Sequence, residues 1–497
     1  MSKPKTLLID PRDDVAVALR PLEAGEPLDA PCTGVFTAEP IPAGHKIARR
    51  DIAAGEDIVK YGAPIGYAVG DIRAGEWVHT HNAASNLTGP LEYQYRPVAL
   101  SGFPRQHETF MGYLRADGRV GARNELWIIP TVACANQTCE MLARQAMADG
   151  TAAGLDGVYA MRHPYGCSQL GDDLANMRDL TAALVNHPNA GGVLVVGLGC
   201  ETNQISIVQQ ALGTWNPARV KFYNTQEVGD ELAFGARLLA ELAEHARRAV
   251  RTEVSMEHLT LGLKCGGSDA FSGITANPLI GRMADRVIDC GGTALLTEVP
   301  EMFGAETRLM ERAADETVYH DIVELINSFK RYYLEHGQPV YDNPSPGNKD
   351  GGITTLEDKS LGCTYKGGSR AVTGVLRYAQ PADRPGLMLV PAPGNDLVAI
   401  TALMAAGAQI ILFSTGRGNP MGTFVPTIKI GTNSAMSLRK AHWIDFDAGR
   451  IIDGMTQDEA ADALWAIIGE VASGRRLAAN ERNGQREMTL FKTGVTV

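Results

Sequence analysis

A repeated pattern of a short apolar run, a glycine-rich corner and a helical stretch constrains the fold of this chain most strongly. The clearest run, GGVLVVGLGC at residues 191–200, is rich in valine and lacks polar alternation, which is typical of a buried parallel strand. The same pattern recurs at 125–134, 258–267, 293–301, 386–396 and 408–418. Repeated strand–helix units predict parallel sheets with helices on both faces. Ligands of such sheets bind beyond the carboxyl ends of the strands, so residues at those ends are the first functional candidates.

The first 92 residues follow a different pattern. Short apolar runs alternate with turn signals, and the related phrases IPAGHKI, DIAAGEDI and DIRAGEW recur, which predicts a small β domain over 1–92. A linker rich in proline and glycine follows over 93–108. The remaining chain divides into a first α/β domain at 109–252 and a second at 253–497. The predicted fold class is α/β, with a small N-terminal β domain followed by two α/β domains that have largely parallel sheets.

Composition and charge exclude several classes of protein. Hydrophobic residues make up 44% of the 497 residues, which is too large a share for a mainly disordered chain. A net charge of −11 disfavours nucleic acid and anionic membrane surfaces as partners. We find no apolar window long enough for a transmembrane helix and no signal-peptide core, so we expect a cytoplasmic protein. An anionic small-molecule substrate needs only a local positive pocket and stays compatible with this charge.

Four of the eight cysteines follow predicted strands. Cysteines in a reducing compartment serve as small buried hydrophobic residues, metal ligands or reactive thiols. Four of them at strand ends favour ligation of a single metal or of an iron–sulfur cluster, although their spacing is not that of a ferredoxin. These residues are Cys134, Cys167, Cys200 and Cys265, and Cys363 is a further candidate.

The histidines offer a second set of metal ligands. His79 and His81 lie in the phrase WVHTHN. If this segment is a strand, the two imidazoles point to one face and suit iron, manganese or zinc. The alternative is a pair of surface histidines near a strand end. His163 precedes PYGC and is a candidate metal ligand or general base, with a hydrogen-bonded structural role as the alternative.

The segment LKCGGSDAFSGITANP at 263–278 is dense in small polar groups. Its glycines allow backbone N–H groups to approach a ligand closely. Ser268 and Asn277 are candidates for binding hydroxyl groups. Lys264 is a candidate partner for a carboxylate, or a general base if desolvation lowers its pKa. The alternative interpretation of this segment is an ordinary helix cap.

Two further segments carry charged candidates. Arg417, between two glycines in STGRGNP, offers a two-point contact to a carboxylate, and the alternative is a solvated arginine in a turn. The phrase EVPEMFGAE places Glu298, Glu301 and Glu306 close together, as metal or proton-transfer groups or as a solvated helix face. The polar, glycine-rich run at 343–363 predicts a long loop that closes over a substrate as a lid.

Long and uncommon phrases occur over nearly the whole chain. They include KYGAPIGYAVGDI, GEWVHTHN, DGRVGARNELWIIPTV, YGCSQLGDD, CGGSDAFSGITANP, TEVPEMFGAE, NPSPGNKDGGITTLEDKSLGC, FSTGRGNPMGTFVPTIKI and NERNGQREMTLFKTGVTV. Together they resemble the altronate dehydratase and galactarate dehydratase family of sugar-acid hydro-lyases. The resemblance implies a SAF-type (β-clip) domain at the N-terminus and a two-part dehydratase region after it.

The resemblance also implies an activity. It is the removal of water from D-altronate to give 2-dehydro-3-deoxy-D-gluconate in hexuronate catabolism, stimulated by ferrous iron (Fe2+), with Mn2+ as the alternative ion. The proton at C2, next to the carboxylate, is barely acidic, so the developing enediolate requires electrostatic stabilisation. A bound divalent cation supplies such stabilisation. Soft cysteine ligands would favour iron over magnesium, and an iron–sulfur cluster stays open as the alternative.

These arguments give one working hypothesis for the site. The metal ligands would be His79 and His81, with Cys167, Cys200 and Cys265 as further or alternative ligands. Lys264 or His163 would be the general base. Ser268, Asn277 and Arg417 would bind the substrate.

Two other functions compete with this hypothesis. A galactarate dehydratase or a related sulfo-lyase would share the same scaffold. A sugar-acid binding or sensing protein would bind the ligand without turnover, although the acidic charge and the lack of a recognisable DNA-binding element argue against a transcriptional sensor. Cytosolic enzymes commonly form homo-oligomers, so a homo-oligomer is the general expectation.

Overall fold

The N-terminal domain consists of two small antiparallel sheets. The computed structural model describes residues 4–100 and 105–496. Tight turns join the short strands, and Gly75 shows why the recurring phrases carry glycine: its φ is +92°, and a Cβ there would lie 1.9 Å from the Phe36 carbonyl oxygen. The sheets have the orders β1-β2-β3-β6 and β4-β5-β7, formed by β1 Thr6–Leu7, β2 Val15–Ala18, β3 Lys46–Ala48, β4 Asp57–Lys60, β5 Ala63–Ala68, β6 Trp77–Val78 and β7 Ala83–Ala84.

A four-stranded parallel sheet forms the centre of the second domain. Its strands lie in the order β11 (Gly157–Ala160), β10 (Glu125–Pro130), β12 (Ala190–Gly197) and β13 (Val220–Asn224), and β12, one of the two central strands, is buried along its whole length, as the valine-rich run predicts. The elements from the linker onward are β8 Thr109–Leu114, β9 Val120–Gly121, β10 Glu125–Pro130, α1 Asn136–Ala148, β11 Gly157–Ala160, α2 Gly171–Val185, β12 Ala190–Gly197, α3 Ile205–Leu212, β13 Val220–Asn224 and α4 Glu231–Ala246.

A seven-stranded parallel sheet forms the centre of the third domain, in the order β17-β18-β16-β15-β19-β20-β21. Its strands, preceded by β14 Thr252–Ser255, are β15 Thr260–Cys265, β16 Thr293–Leu296, β17 Val372–Val375, β18 Gly386–Leu389, β19 Ile410–Thr415, β20 Thr427–Gly431 and β21 Phe446–Asp447. Its helices are α5 Ala276–Asp289, α6 Thr307–Met310, α7 Glu316–Glu335, α8 Pro346–Asp350, α9 Leu356–Thr364, α10 Asp396–Ala405, α11 Ser434–Arg439, α12 Gln457–Ala472 and α13 Ala479–Arg482.

The two α/β domains are joined by more than the chain between them. Strand β14 pairs antiparallel with β8, so the predicted boundary at 252/253 falls inside a strand of a small sheet that both segments build. One hydrophobic core also crosses the boundary, with Trp127 and Val195 from the second domain and Leu403 and Phe413 from the third. The two parallel sheets therefore pack as one unit.

The predicted fold class is confirmed. All six apolar runs of the sequence contain a strand of one of the two parallel sheets, and the N-terminal part is a separate β domain. Among residues 4–100 and 105–496, no helix combines the length and apolar character that a membrane span requires.

Candidate active site

The candidate active site lies at the carboxyl edge of the seven-stranded sheet, where parallel sheets bind their ligands. Cys265 is the last residue of β15, Glu298 and Glu301 follow β16, and Asp396 begins α10 after β18. A cavity of about 700 Å³ opens beside Cys265, Glu301 and Asp396. The strand ends thus bring sulfur, carboxylate and polar groups to the wall of one cavity.

Two thiols and a carboxylate form the centre of the site. The Cys265 Sγ lies 3.3 Å from the Cys363 Sγ, and the Glu301 Oε2 lies 3.1 Å from Cys363 Sγ and 3.5 Å from Cys265 Sγ. All three side chains are buried. Within residues 4–100 and 105–496, this is the one group of at least three His, Cys, Asp or Glu ligand atoms that lie within 4.8 Å of one another.

Three buried lysines surround this centre. Lys366 Nζ donates to Cys265 Sγ at 3.0 Å and lies 3.1 Å from Glu298. Lys264 pairs with Glu298 and lies 2.8 Å from Asp396. A third ammonium, on Lys359, lies 2.9 Å from the Glu301 carboxylate. Alternating positive and negative groups therefore compensate one another, which a buried charge cluster requires.

The paired thiols share one proton. The hydrogen bond from Cys363 lowers the pKa of Cys265 to about 6, and the Lys366 ammonium acts in the same direction against the cost of burial. The same hydrogen bond raises the pKa of Cys363 well above its ordinary value. At neutral pH, Cys265 is therefore the thiolate and Cys363 the thiol that donates to it.

The two glutamates have opposite electrostatic environments. Burial, reinforced by the neighbouring Cys265 thiolate, raises the pKa of Glu298 to about 8. Burial also opposes ionisation of Glu301, but the ammonium groups of Lys359 and Lys264 hold its pKa below the usual range. Glu298 adopts a left-handed backbone conformation with φ +70°, an uncommon state for a non-glycine residue and one that clusters at functional sites.

The N-terminal domain fixes the helix that supplies Cys363 and Lys359. These two residues are four positions apart on α9 and therefore share one helix face. On the same helix, the Asp358 carboxylate accepts hydrogen bonds from Lys46 Nζ at 2.8 Å and Lys60 Nζ at 2.9 Å. All three of these charges are buried. The N-terminal domain thus holds α9 against the cavity through a buried ionic triad.

The cavity wall is polar and suits an anionic, hydroxylated ligand. Lys349 reaches it from α8, and its ammonium group forms no hydrogen bond or ion pair within the described ranges. Asn343 and Asn348 also line it, and their side-chain oxygens accept hydrogen bonds from Lys359 at 3.0 and 3.1 Å. Amide groups and an unpaired ammonium are suited to hydroxyl and carboxylate recognition.

Lys264 lies in the cluster, but its contacts do not favour the role of general base. Burial lowers the pKa of a lysine, yet Glu298 and Asp396 outweigh burial here and raise the pKa of Lys264. A general base at this position would require a lowered lysine pKa. The other role that the sequence analysis gave, pairing with a carboxylate, is present in the contacts with Glu298 and Asp396.

His163 lies in the second domain with both ring nitrogens engaged. Its Nε2 lies 2.8 Å from the Pro130 carbonyl oxygen, and its Nδ1 accepts a hydrogen bond from the Tyr165 backbone N–H at 3.2 Å. Burial lowers the pKa of His163 to about 4. These contacts correspond to the structural role that the sequence analysis gave as the alternative.

The two histidines of WVHTHN do not lie on one strand face, which corrects the geometric premise for their metal site. Strand β6 ends at Val78, so the alternation of side chains does not extend to His79 and His81. His79 is buried and its Nδ1 lies 3.0 Å from Thr354 Oγ1, whereas His81 is exposed. Trp77 contacts both rings, with centroid distances of 5.5 and 5.3 Å.

The predicted cysteine ligands separate into two places. Cys265 lies in the site with Cys363, whereas Cys134, Cys167 and Cys200 are exposed at the edge of the four-stranded sheet in the second domain. The chain therefore does not bring the four strand-end cysteines to one centre.

The predicted substrate-binding residues lie around the cavity rather than in its wall. Asn277 is buried. Its Nδ2 donates a hydrogen bond to the Gly362 carbonyl at 3.0 Å, and its Oδ1 accepts one from the Ser414 hydroxyl at 2.6 Å. Ser268 is buried, and its carbonyl accepts from Asn348. Arg417 is exposed, and its backbone N–H donates to the Gly267 carbonyl at 2.8 Å. Direct contacts of these side chains with a substrate stay predictions.

The segment 343–363 is not a structureless loop, which corrects the expectation of an irregular lid. It contains α8 and α9, and α9 begins after Thr355, whose hydroxyl accepts from the Asp358 backbone N–H at 3.2 Å. Its first residues nevertheless line the cavity.

Sequence reasoning missed Asp396, Lys359 and Lys366, although the four-residue spacing of Lys359 and Cys363 was a usable signal.

Lys429 is buried on β20, two strands away from β15, and its amine has no hydrogen-bond partner in the described ranges. Its Nζ lies 3.3 Å from the centre of the Phe413 ring. Burial lowers its pKa to about 7. A lysine with a lowered pKa in the folded state destabilises the fold below that value, and the penalty disappears as the pH rises toward the unfolded pKa near 10.5.

We expect Lys429→Met to be more stable than the parent protein at pH 7.5, with a difference that shrinks by about 2 kcal/mol on going to pH 9.5. Denaturant unfolding at the two pH values measures this difference. Lys440→Met, which changes a lysine lying over the Trp443 ring at 4.3 Å, is the control and should show no such pH dependence. An equal pH dependence in the two variants would contradict the assignment.

The central group fits a divalent metal ion of soft character. Two cysteine sulfurs and a carboxylate oxygen converge within 4.8 Å, and one thiol is already a thiolate. Thiolate ligands favour iron or zinc over magnesium and calcium. The chemistry of the donor set therefore fits ferrous iron or zinc.

The fold and the site define an enzyme class. A doubly covered parallel sheet presents ionised and nucleophilic groups to a polar cavity at its carboxyl edge, as in α/β enzymes that act on small polar molecules. The chain belongs to the altronate and galactarate dehydratase family. Three family models match consecutive segments: the altronate/galactarate dehydratase SAF domain at 4–86, the D-galactarate dehydratase/altronate hydrolase second domain at 112–247, and the D-galactarate/altronate dehydratase C-terminal domain at 256–496.

Curated relatives match over nearly the full chain. The altronate dehydratase of Bacillus subtilis (strain 168) is 50% identical over 98% of this chain and 99% of its own length. The altronate dehydratase of Escherichia coli (strain K12) is 49% identical over 98% of each chain. The galactarate dehydratase (L-threo-forming) of Escherichia coli is 33% identical over 91% of this chain and 90% of its own. The family resemblance in the sequence is thus confirmed.

Proposed function

We propose that this protein is a hydro-lyase that removes water from D-altronate to give 2-dehydro-3-deoxy-D-gluconate. The observation that carries the proposal is the thiolate–carboxylate group of Cys265, Cys363 and Glu301 beside a polar cavity with an unpaired lysine. Two altronate dehydratases at about 50% identity support the choice of substrate.

We propose ferrous iron as the cofactor, with Mn2+ as the alternative ion, held by Cys265, Cys363 and Glu301. Bound there, the ion supplies Lewis-acid stabilisation of the negative charge that develops during loss of the C2 proton. The surrounding lysines keep the ligands ionised, because Lys366 favours the Cys265 thiolate and Lys359 favours the Glu301 carboxylate.

Asp396 is the carboxylate best placed to accept the C2 proton. It lines the cavity with a quarter of its side chain exposed, whereas Glu298 is buried and is not part of the cavity wall. Lys264 at 2.8 Å and the Asn419 amide at 2.7 Å orient its two oxygens. The Lys359 ammonium, which also lines the cavity, would stabilise the negative charge of the departing C3 hydroxyl.

Lys349 binds the substrate carboxylate in this arrangement. We expect Lys349→Met to raise KM for D-altronate about 10- to 100-fold, with a smaller effect on kcat, because a charge-assisted contact made in both ground and transition states is lost. Steady-state kinetics measure both constants. Lys349→Arg keeps the charge and should retain most of the affinity, and an unchanged KM in Lys349→Met would remove this residue from substrate binding.

A substrate panel tests the proposed function. The protein, prepared anaerobically with ferrous iron, is assayed for keto-acid formation from D-altronate, galactarate and sulfolactate. We expect turnover of D-altronate. Turnover of galactarate alone would support the proposed site but assign galactarate as the substrate. The 33% identical galactarate dehydratase is the observation that favours this second candidate. Binding without turnover of any of the three would instead favour a sensing protein.

The histidine pair stays an alternative prediction for the metal. The Nε2 of His79 forms no hydrogen bond with another described residue, and burial lowers the pKa of His79 to about 3, so the ring is neutral. If the pair holds the iron, His79→Ala and His81→Ala lose iron and activity together while the fold survives. Full iron content in both variants assigns the metal to the cysteine pair.

We propose the cytoplasm as the site of action. The support is that all eight cysteines are free thiols, the state expected in a reducing compartment. Homo-oligomerisation and the lack of nucleic-acid and membrane partners stay predictions from the sequence.

A further inference from the structure

We propose that Cys134, Cys167 and Cys200 hold an iron–sulfur cluster at the edge of the second domain, a site that goes beyond the proposed function. Each cysteine follows a different strand: Cys134 follows β10, Cys167 follows β11 and Cys200 follows β12. These three strands are adjacent in the sheet order β11-β10-β12. The three are exposed, whereas the other five cysteines of the chain are buried.

The three cysteine loops are tied to one another by backbone contacts. The Ala133 N–H, next to Cys134, donates to the Tyr165 carbonyl at 2.8 Å. The Asn203 N–H, in the loop of Cys200, donates to the Gly166 carbonyl at 2.9 Å. Gly166 has a φ of +105°, and a Cβ there would lie 2.0 Å from the Thr131 carbonyl oxygen. Consecutive Cα atoms are 3.8 Å apart, so each thiol lies within a few residues of this shared contact.

The spacing of the thiols argues against a preformed site for a single ion. Within residues 4–100 and 105–496, the one group of three or more His, Cys, Asp or Glu ligand atoms that lie within 4.8 Å of one another is that of Cys265, Glu301 and Cys363. The Sγ atoms of Cys134, Cys167 and Cys200 therefore do not all lie within 4.8 Å of one another. A cluster inserts several iron and sulfide atoms between its cysteines and tolerates a wider triangle, and thiolates are its usual protein ligands.

Helix N-termini converge on the same edge. Helix α1 of 13 residues, α2 of 15 residues and α3 of 8 residues begin just after Cys134, Cys167 and Cys200, respectively. None of the three has a side-chain cap. Their first N–H groups and positive dipole ends therefore face the cysteine loops, where they stabilise thiolates and an anionic cluster.

Two buried polar side chains at this edge each present an unpaired amide atom, which is the independent observation that points to a ligand. Gln169 Nε2 and Asn203 Oδ1 have no hydrogen-bond partner among residues 4–100 and 105–496, and the two side chains are 1% and 0% exposed. Their other amide atoms are fixed by the Gly166 N–H at 2.9 Å and the Thr131 carbonyl at 3.2 Å. A bound cluster would supply sulfide acceptors for the Gln169 amide, and an oxygen ligand of the cluster would supply a donor for the Asn203 oxygen.

Assembly of the cluster requires iron ions, sulfide ions and the three cysteine thiols. Two ferrous and two ferric ions would enter from solution with four sulfide ions, so that a four-iron core of charge +2 forms without an oxidant. Each of the three thiols would release its proton to solvent as its sulfur bonds to an iron. With three protein thiolates, a four-iron cluster would keep one iron without a protein ligand.

The test is metal and sulfide analysis of the full chain, reconstituted anaerobically with equal amounts of ferrous and ferric iron and with sodium sulfide. We expect acid-labile sulfide and visible iron–sulfur absorption in the parent protein. We expect a loss of more than about tenfold in sulfide in each of Cys134→Ser, Cys167→Ser and Cys200→Ser. Cys32→Ala, a buried cysteine of the N-terminal domain, and Cys265→Ala are the controls and should keep their sulfide.

Two results would overturn the proposal: no sulfide in the reconstituted parent protein, or full sulfide in all three serine variants. Circular dichroism on each variant identifies a loss that comes from misfolding, and the parent measurement stands in any case. Keto-acid formation, measured on the same samples, separates this proposal from the proposed function. Bound sulfide without turnover would support the cluster and contradict the proposed function. Turnover without bound sulfide would support the proposed function and contradict the cluster.

Discussion

Cys265→Ala is expected to lower kcat for D-altronate by about 10³-fold, because the loss of one ligand removes several kcal/mol of electrostatic stabilisation of the enediolate. The same change removes the thiolate that compensates the buried Lys366 ammonium at 3.0 Å. The variant should also lose iron that is not accompanied by sulfide. Steady-state kinetics and iron analysis measure the two effects.

Cys290→Ala is the matched control for this experiment. Cys290 is buried in the hydrophobic core of the same domain, away from the cavity wall. The Cys290→Ala variant should bind iron and turn over D-altronate as the parent protein does. Parent-like kcat and iron content in Cys265→Ala would show that the metal and the chemistry lie elsewhere.

Asp358→Asn is expected to lower the free energy of unfolding by about 3–5 kcal/mol, because it leaves two buried ammonium groups without their counter-charge. Lys46 and Lys60 both donate to this carboxylate, and all three groups are at most 1% exposed. Burial lowers the pKa of Lys46 to about 8 even with its partner in place. Denaturant unfolding at neutral pH measures the loss.

The same variant should lower kcat/KM about 10- to 100-fold, since Asp358 holds the helix that carries Cys363 and Lys359. Its control is Asp350→Asn, an exposed carboxylate eight residues earlier that takes part in the domain contact only through its backbone carbonyl. If Asp358→Asn were as stable and active as this control, the N-terminal domain would not position the site.

The central strands could be predicted from the sequence because burial on both faces leaves an unmistakable apolar run. Strand β12, for example, is buried at every residue. Edge strands such as β13 and β21 are partly exposed and short, so their sequences carry no comparable signal. Helix α9 escaped prediction because its glycine and lysine residues obscure any apolar period, and tertiary contacts with Asp358 stabilise it.

The site was only partly predictable for a related reason. Cys265 and Glu301 stood out as unusual residues at strand ends, and they do lie in the site. Their partner Lys366 comes from a segment 101 positions away from Cys265, and one sequence contains no signal for such a contact. The strand-face argument for the histidine pair failed because β6 ends at Val78, immediately before His79.

The most direct test of the central claim is the reaction of D-altronate with the iron-loaded enzyme in D₂O, followed by NMR. Loss of the C2 proton, departure of the C3 hydroxyl and ketonisation of the enol require that C3 takes one hydrogen from solvent. We predict a 2-keto-3-deoxy acid that carries one deuteron at C3. No keto acid, or a product without solvent deuterium, would contradict the account.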